Sequence, residues 1–235
     1  MFRFIVVAIV IIPGTIYSGC RMMWAVWRKS PNASCVCSSQ PRMWSRALLW
    51  CAGVEVVLEN AEAIDPNRPQ ILVANHASWF DVLVIMGMIP GRSLFVAKKE
   101  IAKVPVFGPA IGACGHVFID RKDRNSAVQS LKEARRRLEE ENPTIIMFPE
   151  GTRTATGELQ PFKKGAFVLA IQTGVDIVPA AIIGSRDVVK KGSLLIRPGK
   201  VTVRFGESIS VGGLTLDDRN ELTARAREAL VELHA

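Results

Sequence analysis

The sequence predicts an α/β fold in which helices flank a mainly parallel sheet, with a helical hairpin before it. After residue 54, short apolar segments alternate with longer helical segments, which is typical of parallel strands joined by crossover helices. Residues 1–54 differ in composition from the rest of the chain. They lack acidic residues and hold four of the five tryptophans. We therefore divide the chain into a helical region over residues 1–53 and one α/β domain over residues 54–235, which is long enough for a core of its own.

The composition of the first region is typical of a membrane surface. Its six basic residues and its tryptophans suit anionic headgroups and the interfacial layer. The uncharged run from Phe4 to Cys20 reaches only the lower length limit for a spanning helix, and Pro13 interrupts it. We predict a membrane-associated hairpin in one leaflet, with arms near residues 4–27 and 41–51 and a turn near residues 30–32. Tryptophans would lie at headgroup level and arginines would bind lipid phosphates.

Two alternatives concern the same region. A single transmembrane anchor would need the whole first arm to cross the bilayer. A lipoprotein signal would end at Ser18-Gly19-Cys20, but Tyr17 replaces the usual leucine and apolar residues resume directly afterwards.

The five cysteines, at positions 20, 35, 37, 51 and 114, follow neither a disulfide-scaffold nor a zinc pattern. We expect reduced thiols and no metal.

The elements of the α/β domain follow from apolar periodicity. Strands are predicted near residues 54–59, 71–75, 93–97, 116–119, 144–148 and 177–183, and helices near residues 79–89, 124–141 and 163–174. Residues 194–196 and 201–205 flank Arg197-Pro198-Gly199-Lys200 and predict a hairpin-like strand pair. An amphipathic helix from about Leu216 to His234 ends the chain.

His76 and Asp81 suggest a general base with its orienting carboxylate. On a continuous helix they would lie roughly 140° apart, too far for a hydrogen bond. The chain must therefore turn after the strand at residues 71–74, with Ser78 as the N-cap of the next helix. Asp81 could then fix the imidazole tautomer and stabilise the imidazolium. Alternatively, a lone histidine merely completes a turn.

A second segment, Phe148-Pro149-Glu150-Gly151-Thr152-Arg153, places a glycine turn between a glutamate and an arginine after an apolar strand. This layout suits a small anionic group. Two more segments keep the same order along the chain: the block Phe118-Ile119-Asp120-Arg121 ends in an arginine, and Val178-Pro179 lies in an apolar strand.

These four blocks resemble the lysophospholipid acyltransferases, most closely the bacterial lysophosphatidate acyltransferases. They cover about half of the chain, and the Phe-Pro-Glu-Gly-Thr-Arg block is the specific one. The resemblance implies a glycerolipid acyltransferase-like fold. It also implies transfer of a fatty acyl group from acyl-CoA or acyl-carrier protein to the sn-2 hydroxyl of 1-acyl-sn-glycerol-3-phosphate (lysophosphatidic acid), giving phosphatidic acid for phospholipid biosynthesis. The thioester is a co-substrate, and no cofactor is implied.

In this family the histidine deprotonates the acceptor hydroxyl, so His76 and Asp81 would be catalytic. The resemblance implies a set of acceptor-binding residues: Lys98, Phe118, Arg121, Glu150, Gly151, Thr152 and Arg153. Guanidinium groups can bind two phosphate oxygens at once. Glu150 would accept a hydrogen bond from an arginine or from the glycerol, and Gly151 would admit the backbone. A covalent route through Ser78 or Cys114 is an alternative.

By the same resemblance, the segment from Lys103 to Gly112 borders the acyl-chain path; core packing is the alternative. Lys98 and Lys99 either add positive charge or form a solvated strand end.

Other classes of protein explain the sequence less well. The net charge of +8 and the cluster Arg135-Arg136-Arg137 suit nucleic-acid binding, but glutamates surround that cluster and no nucleic-acid motif is present. A catalytically silent membrane scaffold would not need His76 and Asp81. A related acyltransferase could use glycerol 3-phosphate, another lysophospholipid or a lyso-aminolipid. We expect anionic lipids as partners, no nucleic acid, and a place on the cytoplasmic face of the cell membrane, the bacterial inner membrane.

Overall fold

The computed structural model describes residues 2–120 and 123–235, where two helices precede a domain of strands and helices that alternate along most of its length. The strands are β1 (Val54–Glu59), β2 (Gln70–Ala74), β3 (Ser93–Lys98), β4 (Val117–Ile119), β5 (Thr144–Met147), β6 (Ile177–Ile183) and β7 (Gly199–Phe205). The α-helices are α1 (Phe2–Trp27), α2 (Ala33–Ala52), α3 (Phe80–Met88), α4 (Phe107–Ala113), α5 (Arg124–Glu141), α6 (Gly165–Thr173), α7 (Ser185–Val188) and α8 (Arg219–His234).

The strands form one mixed sheet in the order β1-β7-β6-β2-β5-β3-β4. Every neighbouring pair is parallel except β6 and β7, so the predicted mainly parallel sheet is confirmed. At the centre, Val73 of β2 lies opposite Met147 of β5 and Pro179 of β6. Because the carboxyl ends of parallel strands meet at one edge, the segments after β2 and β5 lie side by side.

Alternate residues of β2 belong to two different cores, as the period of a strand requires. Leu72 and Ala74 pack with α1, α2 and α3 on one face of the sheet. Ile71 and Val73 pack with α5, α6 and α8 on the other. The sheet is therefore covered on both sides, which explains the continuous apolar character of its central strands.

The two helices α1 and α2 form the predicted hairpin, but α2 begins at Ala33, earlier than expected, and Pro41 lies inside it. Its inner face is part of the α/β core, since Val7, Leu48 and Leu49 pack with the residues of α3. By length and composition, the segment Ile9–Trp27 could cross a membrane. The outer face of the hairpin exposes large side chains: Ile9, Ile12, Ile16, Tyr17, Trp24, Trp27, Met43 and Trp50.

Two arginines of α2 do not reach outward to lipid, contrary to the prediction. Arg42 donates hydrogen bonds to the carbonyl oxygens of Ile89 and Gly91, at 2.9 and 2.8 Å, and Arg46 donates to that of Gly87 at 2.8 Å. These acceptors lie at the carboxyl end of α3, where free carbonyl groups and the helix dipole attract cations.

The predicted strand pair around residues 197–200 is wrong. Only β7 is a strand, and it pairs with β1 and β6. Leu194 and Leu195 are exposed, so they do not line a core; only Ile196 is buried, and Pro198 has no N–H to donate to a ladder. The last helix also begins later than predicted, because a 3₁₀ turn over Leu216–Asp218 precedes α8.

The prediction of five reduced thiols is wrong for two cysteines. Cys37 of α2 and Cys114, directly after α4, form a disulfide across a sequence separation of 77 residues. The packing of α1 and α2 against α4 brings them together, which spacing along the chain could not reveal. Cys20, Cys35 and Cys51 are free.

Candidate active site

The site begins where the chain leaves the sheet after β2. The Asn75 side chain accepts the backbone N–H of Ile182 at 2.7 Å and donates to its carbonyl oxygen at 2.9 Å. This buried side-chain amide pairs with the backbone of β6 in place of a further residue of β2. The main chain after Asn75 is therefore free to turn away from the sheet. His76 consequently lies at the strand-to-helix turn, as predicted.

Asp81 reaches the imidazole from the first turn of α3. Its Oδ2 lies 2.8 Å from His76 Nδ1 and accepts the backbone N–H groups of Ala77 and Ser78 at 2.7 and 2.8 Å. The predicted contact between the two side chains is confirmed. Because a carboxylate only accepts, Nδ1 is the donor in this contact, and in the neutral imidazole Nε2 then keeps a lone pair. Asp81 is fully buried, whereas the His76 side chain is 14% exposed.

Ser78 is not the N-cap of α3; Trp79 holds that position. The Ser78 hydroxyl is fully buried, donates to the carbonyl oxygen of Val189 at 2.9 Å and lies 3.3 Å from the N–H of Phe80. Cys114 is held in its disulfide. Neither side chain is therefore placed as a nucleophile, which removes the basis of the covalent alternative.

The segment after β5 holds the His76 backbone from both sides. Glu150 Oε1 accepts the His76 N–H at 2.7 Å, and the Thr154 N–H donates to the His76 carbonyl oxygen at 2.8 Å. The Phe148 ring stacks on the imidazole, with centroids 4.2 Å apart and planes inclined by 15°. Sequence reasoning missed Phe148 and Thr154 as neighbours of the base.

Among the described residues, no arginine donates a hydrogen bond to Glu150, which was one of its predicted roles. Its second oxygen, Oε2, accepts the N–H of Gln160 at 3.0 Å, so each carboxylate oxygen accepts a backbone N–H. Burial is the main cause that raises the pKa of Glu150, and the two backbone hydrogen bonds oppose it. The geometry makes Glu150 a support for the turn that carries His76.

Gly151 adopts a left-handed conformation with φ of 72°, and a Cβ there would lie 2.9 Å from Cε of Lys163. The lysine side chain therefore passes directly over the glycine. Next to it, Thr152 is exposed and Arg153 is half-exposed. Lys191 Nζ donates to the Arg153 carbonyl oxygen at 2.7 Å. Lys163 and Lys191 are cations that sequence reasoning missed; the pairs Lys163-Lys164 and Lys190-Lys191 were the available signal.

Two other predicted acceptor-binding residues, Lys98 and Phe118, belong to the neighbouring strands β3 and β4 of the same sheet. Lys98 ends β3, which β5 separates from β2, so this strand lies roughly 10 Å from the strand before His76. Lys98 is exposed and pairs with Glu100 at 3.0 Å, while Lys99 pairs with Asp120. The ring of Phe118 packs against Gly112 of α4. Arg121 lies outside the described residues.

A small apolar pocket of about 20 Å³ lies between α1, α2, α3 and α4. Three residues of the predicted acyl-path segment form part of the pocket wall: Phe107, Ala110 and Ile111. The remaining lining comes from the hairpin and α3: Thr15, Ser18, Gly19, Met22, Pro41, Trp44 and Met86.

The fold and this site combine a histidine oriented by a carboxylate with a cation-rich glycine turn at one edge of a mixed sheet. In the comparison with protein families, the family model "Acyltransferase" matches residues 55–183. The chain belongs to the acyltransferase family.

Named relatives narrow the likeness further. The chain is 40% identical over 160 residues to a 1-acyl-sn-glycerol-3-phosphate acyltransferase of Cocos nucifera, covering 68% of this chain and 51% of that protein. It is 35% identical over 179 residues to the human 1-acyl-sn-glycerol-3-phosphate acyltransferase alpha, covering 76% and 63%. It thus spans about half of the plant relative and under two thirds of the human one.

A solved structure resembles almost the whole chain. The crystal structure of the 1-acyl-sn-glycerophosphate (LPA) acyltransferase PlsC from Thermotoga maritima superposes with a TM-score of 0.84 at 25% identity. The likeness covers 98% of this chain and 92% of that one, so it includes the helical hairpin as well as the sheet.

Proposed function

We propose that this chain is a 1-acyl-sn-glycerol-3-phosphate acyltransferase, with residues 1–53 as its membrane-associated region and residues 54–235 as its catalytic domain. The observation that carries the proposal is the oriented His76–Asp81 pair, held by the same segment that presents Arg153. The named relatives support the choice of lysophosphatidic acid as acceptor.

In the proposed reaction His76 Nε2 takes the proton of the sn-2 hydroxyl as its oxygen attacks the thioester carbonyl. Asp81, bound to Nδ1, stabilises the imidazolium that forms. The tetrahedral intermediate then collapses, the carbon–sulfur bond breaks, and the thiol leaves with the proton from His76. The acceptor oxygen is the only nucleophile that this sequence of steps needs, because a thioester is already activated.

The proposed binding site for the acceptor phosphate is the cation-rich glycine turn that follows β5. Arg153 can engage two phosphate oxygens with its planar guanidinium group, and Arg121 is proposed as the second arginine. Lys163 crosses Gly151 and Lys191 is held against the Arg153 backbone, so both add positive charge beside the glycine turn. Glu150 has a supporting role instead of a binding one.

The small apolar pocket between the hairpin and α4 is proposed to mark the acyl-chain path, and the hairpin and α4 would have to move apart to admit a fatty acyl chain. Burial of each methylene group there would contribute about 0.8 kcal/mol to binding. The exposed aromatic and aliphatic face of the hairpin would insert into the cell membrane. We propose that it does so from the cytoplasmic side of the bacterial inner membrane. Acyl-CoA and acyl-carrier protein are both proposed donors.

The basic cluster on α5 favours this function over nucleic-acid binding. Arg135, Arg136 and Arg137 form ion pairs with glutamates of the same helix, which neutralises their charge: Glu133, Glu139, Glu140 and Glu141. A surface balanced in this way attracts phosphate backbones weakly.

The test measures thiol release from acyl-CoA by protein in lipid vesicles, with and without lysophosphatidic acid. We expect release that needs the acceptor, with phosphatidic acid as product, and its loss in His76→Ala. His234→Gln, at the end of α8, is the matched control and should keep full activity. Release without an acceptor would indicate a thioesterase. If acyl-CoA is inactive, acyl-carrier-protein thioesters are tested in the same assay before the assignment is rejected.

Acceptor choice is tested at matched donor concentration with glycerol 3-phosphate, lysophosphatidic acid, lysophosphatidylcholine and a lyso-aminolipid. Preference for a phosphate monoester is expected from the exposed cations near Arg153. A preference for a zwitterionic or amino acceptor would overturn the assignment of the acceptor while leaving the acyl-transfer chemistry in place.

A further inference from the structure

The connection between α7 and β7 presents an apolar tip to solvent. The carbonyl oxygen of Val188 accepts the N–H of Arg197 at 2.9 Å, which closes residues 189–196 into a loop. Val189 and Ile196 anchor it in the core. Leu194 and Leu195, in contrast, are 71% and 46% exposed. We call residues 189–198 the leucine loop.

Exposed cations surround this tip. Lys190, Lys191, Arg197 and Lys200 are all exposed, and no acidic residue occurs between Val188 and Gly206. Two neighbouring leucines framed by cations are the composition of an element that enters the headgroup layer of an anionic membrane. A stable protein interface buries about 800 Å² on each partner, far more than two leucine side chains supply.

The leucine loop lies beside the hairpin and on the same face of the sheet. Ile196 belongs to the core that also contains Val7 of α1 and Leu48 of α2. Just after the loop, the Gly199 N–H donates to the carbonyl oxygen of Gly53 at 3.2 Å, three residues beyond the exposed Trp50. The loop is therefore next to the apolar surface of the hairpin.

The leucine loop is also attached to the catalytic centre. The Ser78 hydroxyl, in the turn between His76 and Asp81, donates to the carbonyl oxygen of Val189. Lys191 Nζ donates to the carbonyl oxygen of Arg153. The base of the loop thus contacts both segments of the site, and its tip points to solvent.

We propose that the leucine loop is a second membrane-contact element, separate from the hairpin. Leu194 and Leu195 enter the boundary between headgroups and acyl chains, and Lys190, Arg197 and Lys200 bind lipid phosphates around them. The loop sets the catalytic turn at the depth where a membrane-embedded acceptor presents its hydroxyl group. This inference rests on the proposed function for its kinetic readout only.

The experiment compares the full-length protein with the double variant Leu194→Ser/Leu195→Ser. Activity is measured with long-chain lysophosphatidic acid in vesicles of phosphatidylcholine and phosphatidylglycerol, and with a short-chain analogue that is monomeric in solution. We expect a several-fold loss of activity with vesicles and none with the monomeric acceptor. Leu216→Ser is the matched control, because Leu216 is 43% exposed and precedes α8, which packs on the opposite face of the sheet.

Vesicle flotation tests the same element without catalysis. The double variant should float several-fold less with vesicles that contain phosphatidylglycerol, while Leu216→Ser floats like the wild type. Lys190→Gln/Lys200→Gln should show a similar loss with these vesicles and no loss with phosphatidylcholine alone.

Two results would overturn the proposal: unchanged flotation and vesicle activity in the leucine double variant, or an equal loss of activity on both acceptors, which would indicate a purely structural loop. A wild type that is inactive with both acyl-CoA and acyl-carrier-protein thioesters, but that still floats through Leu194 and Leu195, would reject the enzyme assignment and keep the membrane contact.

Discussion

The carboxylate of Glu150 accepts the backbone N–H of His76 at 2.7 Å, across 74 residues of sequence. The two most informative segments of the chain are therefore one structural unit. The Glu150 carboxylate contacts the proposed base only at the main chain of His76. Its second oxygen, Oε2, accepts the N–H of Gln160. We propose that Glu150 is a positioning residue, so its expected kinetic effect differs from that of Arg153.

Replacing Glu150 with glutamine should lower kcat and leave the acceptor KM nearly unchanged. The amide can still accept one backbone N–H, but its NH₂ group would oppose the other donor. A buried mismatch of this kind costs about 1–3 kcal/mol, or roughly 5- to 150-fold if it is expressed entirely in turnover. Steady-state kinetics with varied acceptor check this. Glu158→Gln, exposed on the same segment, is the control; a raised KM at constant kcat would instead indicate direct acceptor binding.

Asp81→Asn should lower turnover strongly with the fold retained. The neutral amide cannot stabilise an imidazolium and can impose the wrong tautomer on His76, an effect of about 10⁴-fold in a serine protease triad. Single-turnover measurements of the chemical step, together with circular dichroism, check the prediction. Asp217→Asn, whose side chain is fully exposed, should behave like the wild type. Near-normal turnover of Asp81→Asn would remove the orienting role.

Arg153→Ala should chiefly raise the KM for lysophosphatidic acid. Loss of a charge-assisted hydrogen bond to phosphate costs about 1.5–3 kcal/mol, which corresponds to roughly 10- to 150-fold in binding. Arg153→Lys should recover part of the loss, because it keeps the charge without the planar fork. Acceptor titrations check both variants beside Arg225→Ala on the exposed side of α8. Unchanged KM and turnover would place the phosphate elsewhere.

His116 should make the fold sensitive to acid. Burial, aided by Arg92, lowers its pKa to about 4, and its Nδ1 accepts the N–H of Phe95 at 3.1 Å. The unfolded chain binds a proton near pH 6.5 and the folded chain only near pH 4, so the free energy of unfolding falls as pH drops through this window. The loss approaches about 3 kcal/mol at pH 4 and then stops growing.

Urea unfolding between pH 7 and pH 4 measures this dependence. His116→Gln keeps an acceptor for Phe95 without a titrating group, so its stability should vary less with pH than that of the wild type. An identical pH dependence in the variant and the wild type would show that other groups control acid sensitivity.

Reduction of the disulfide between Cys37 and Cys114 should lower thermal stability. The bond links residues 77 positions apart and constrains the unfolded chain, an effect of about 4.5 kcal/mol in the chain-entropy model. Thermal unfolding of Cys37→Ser/Cys114→Ser checks it against Cys20→Ser/Cys35→Ser, which removes two free cysteines. Peptide mapping of the non-reduced protein tests the pairing itself. An absent linked peptide would contradict it.

The sequence by itself determined most of the elements of the α/β domain and the identity of the histidine–aspartate pair, but not the short helices α4 and α7. Apolar periodicity and turn residues are local signals, so β1, β2, β6 and α5 lie within a residue or so of their predicted bounds. The requirement for a turn between His76 and Asp81 is likewise local, because five positions on a helix separate two side chains too widely.

Only the tertiary structure decided what the longer-range groups contact. Glu150 binds the backbone of His76, Arg42 binds the end of α3, and Cys37 meets Cys114, all through packing between distant segments. The leucine loop shows the same limit. An apolar triplet at residues 194–196 resembles a strand in isolation, but the sheet neighbours of β7 are β1 and β6, so two of its three side chains remain in solvent. Local pattern specifies an element, whereas the partner of each side chain depends on how the elements pack.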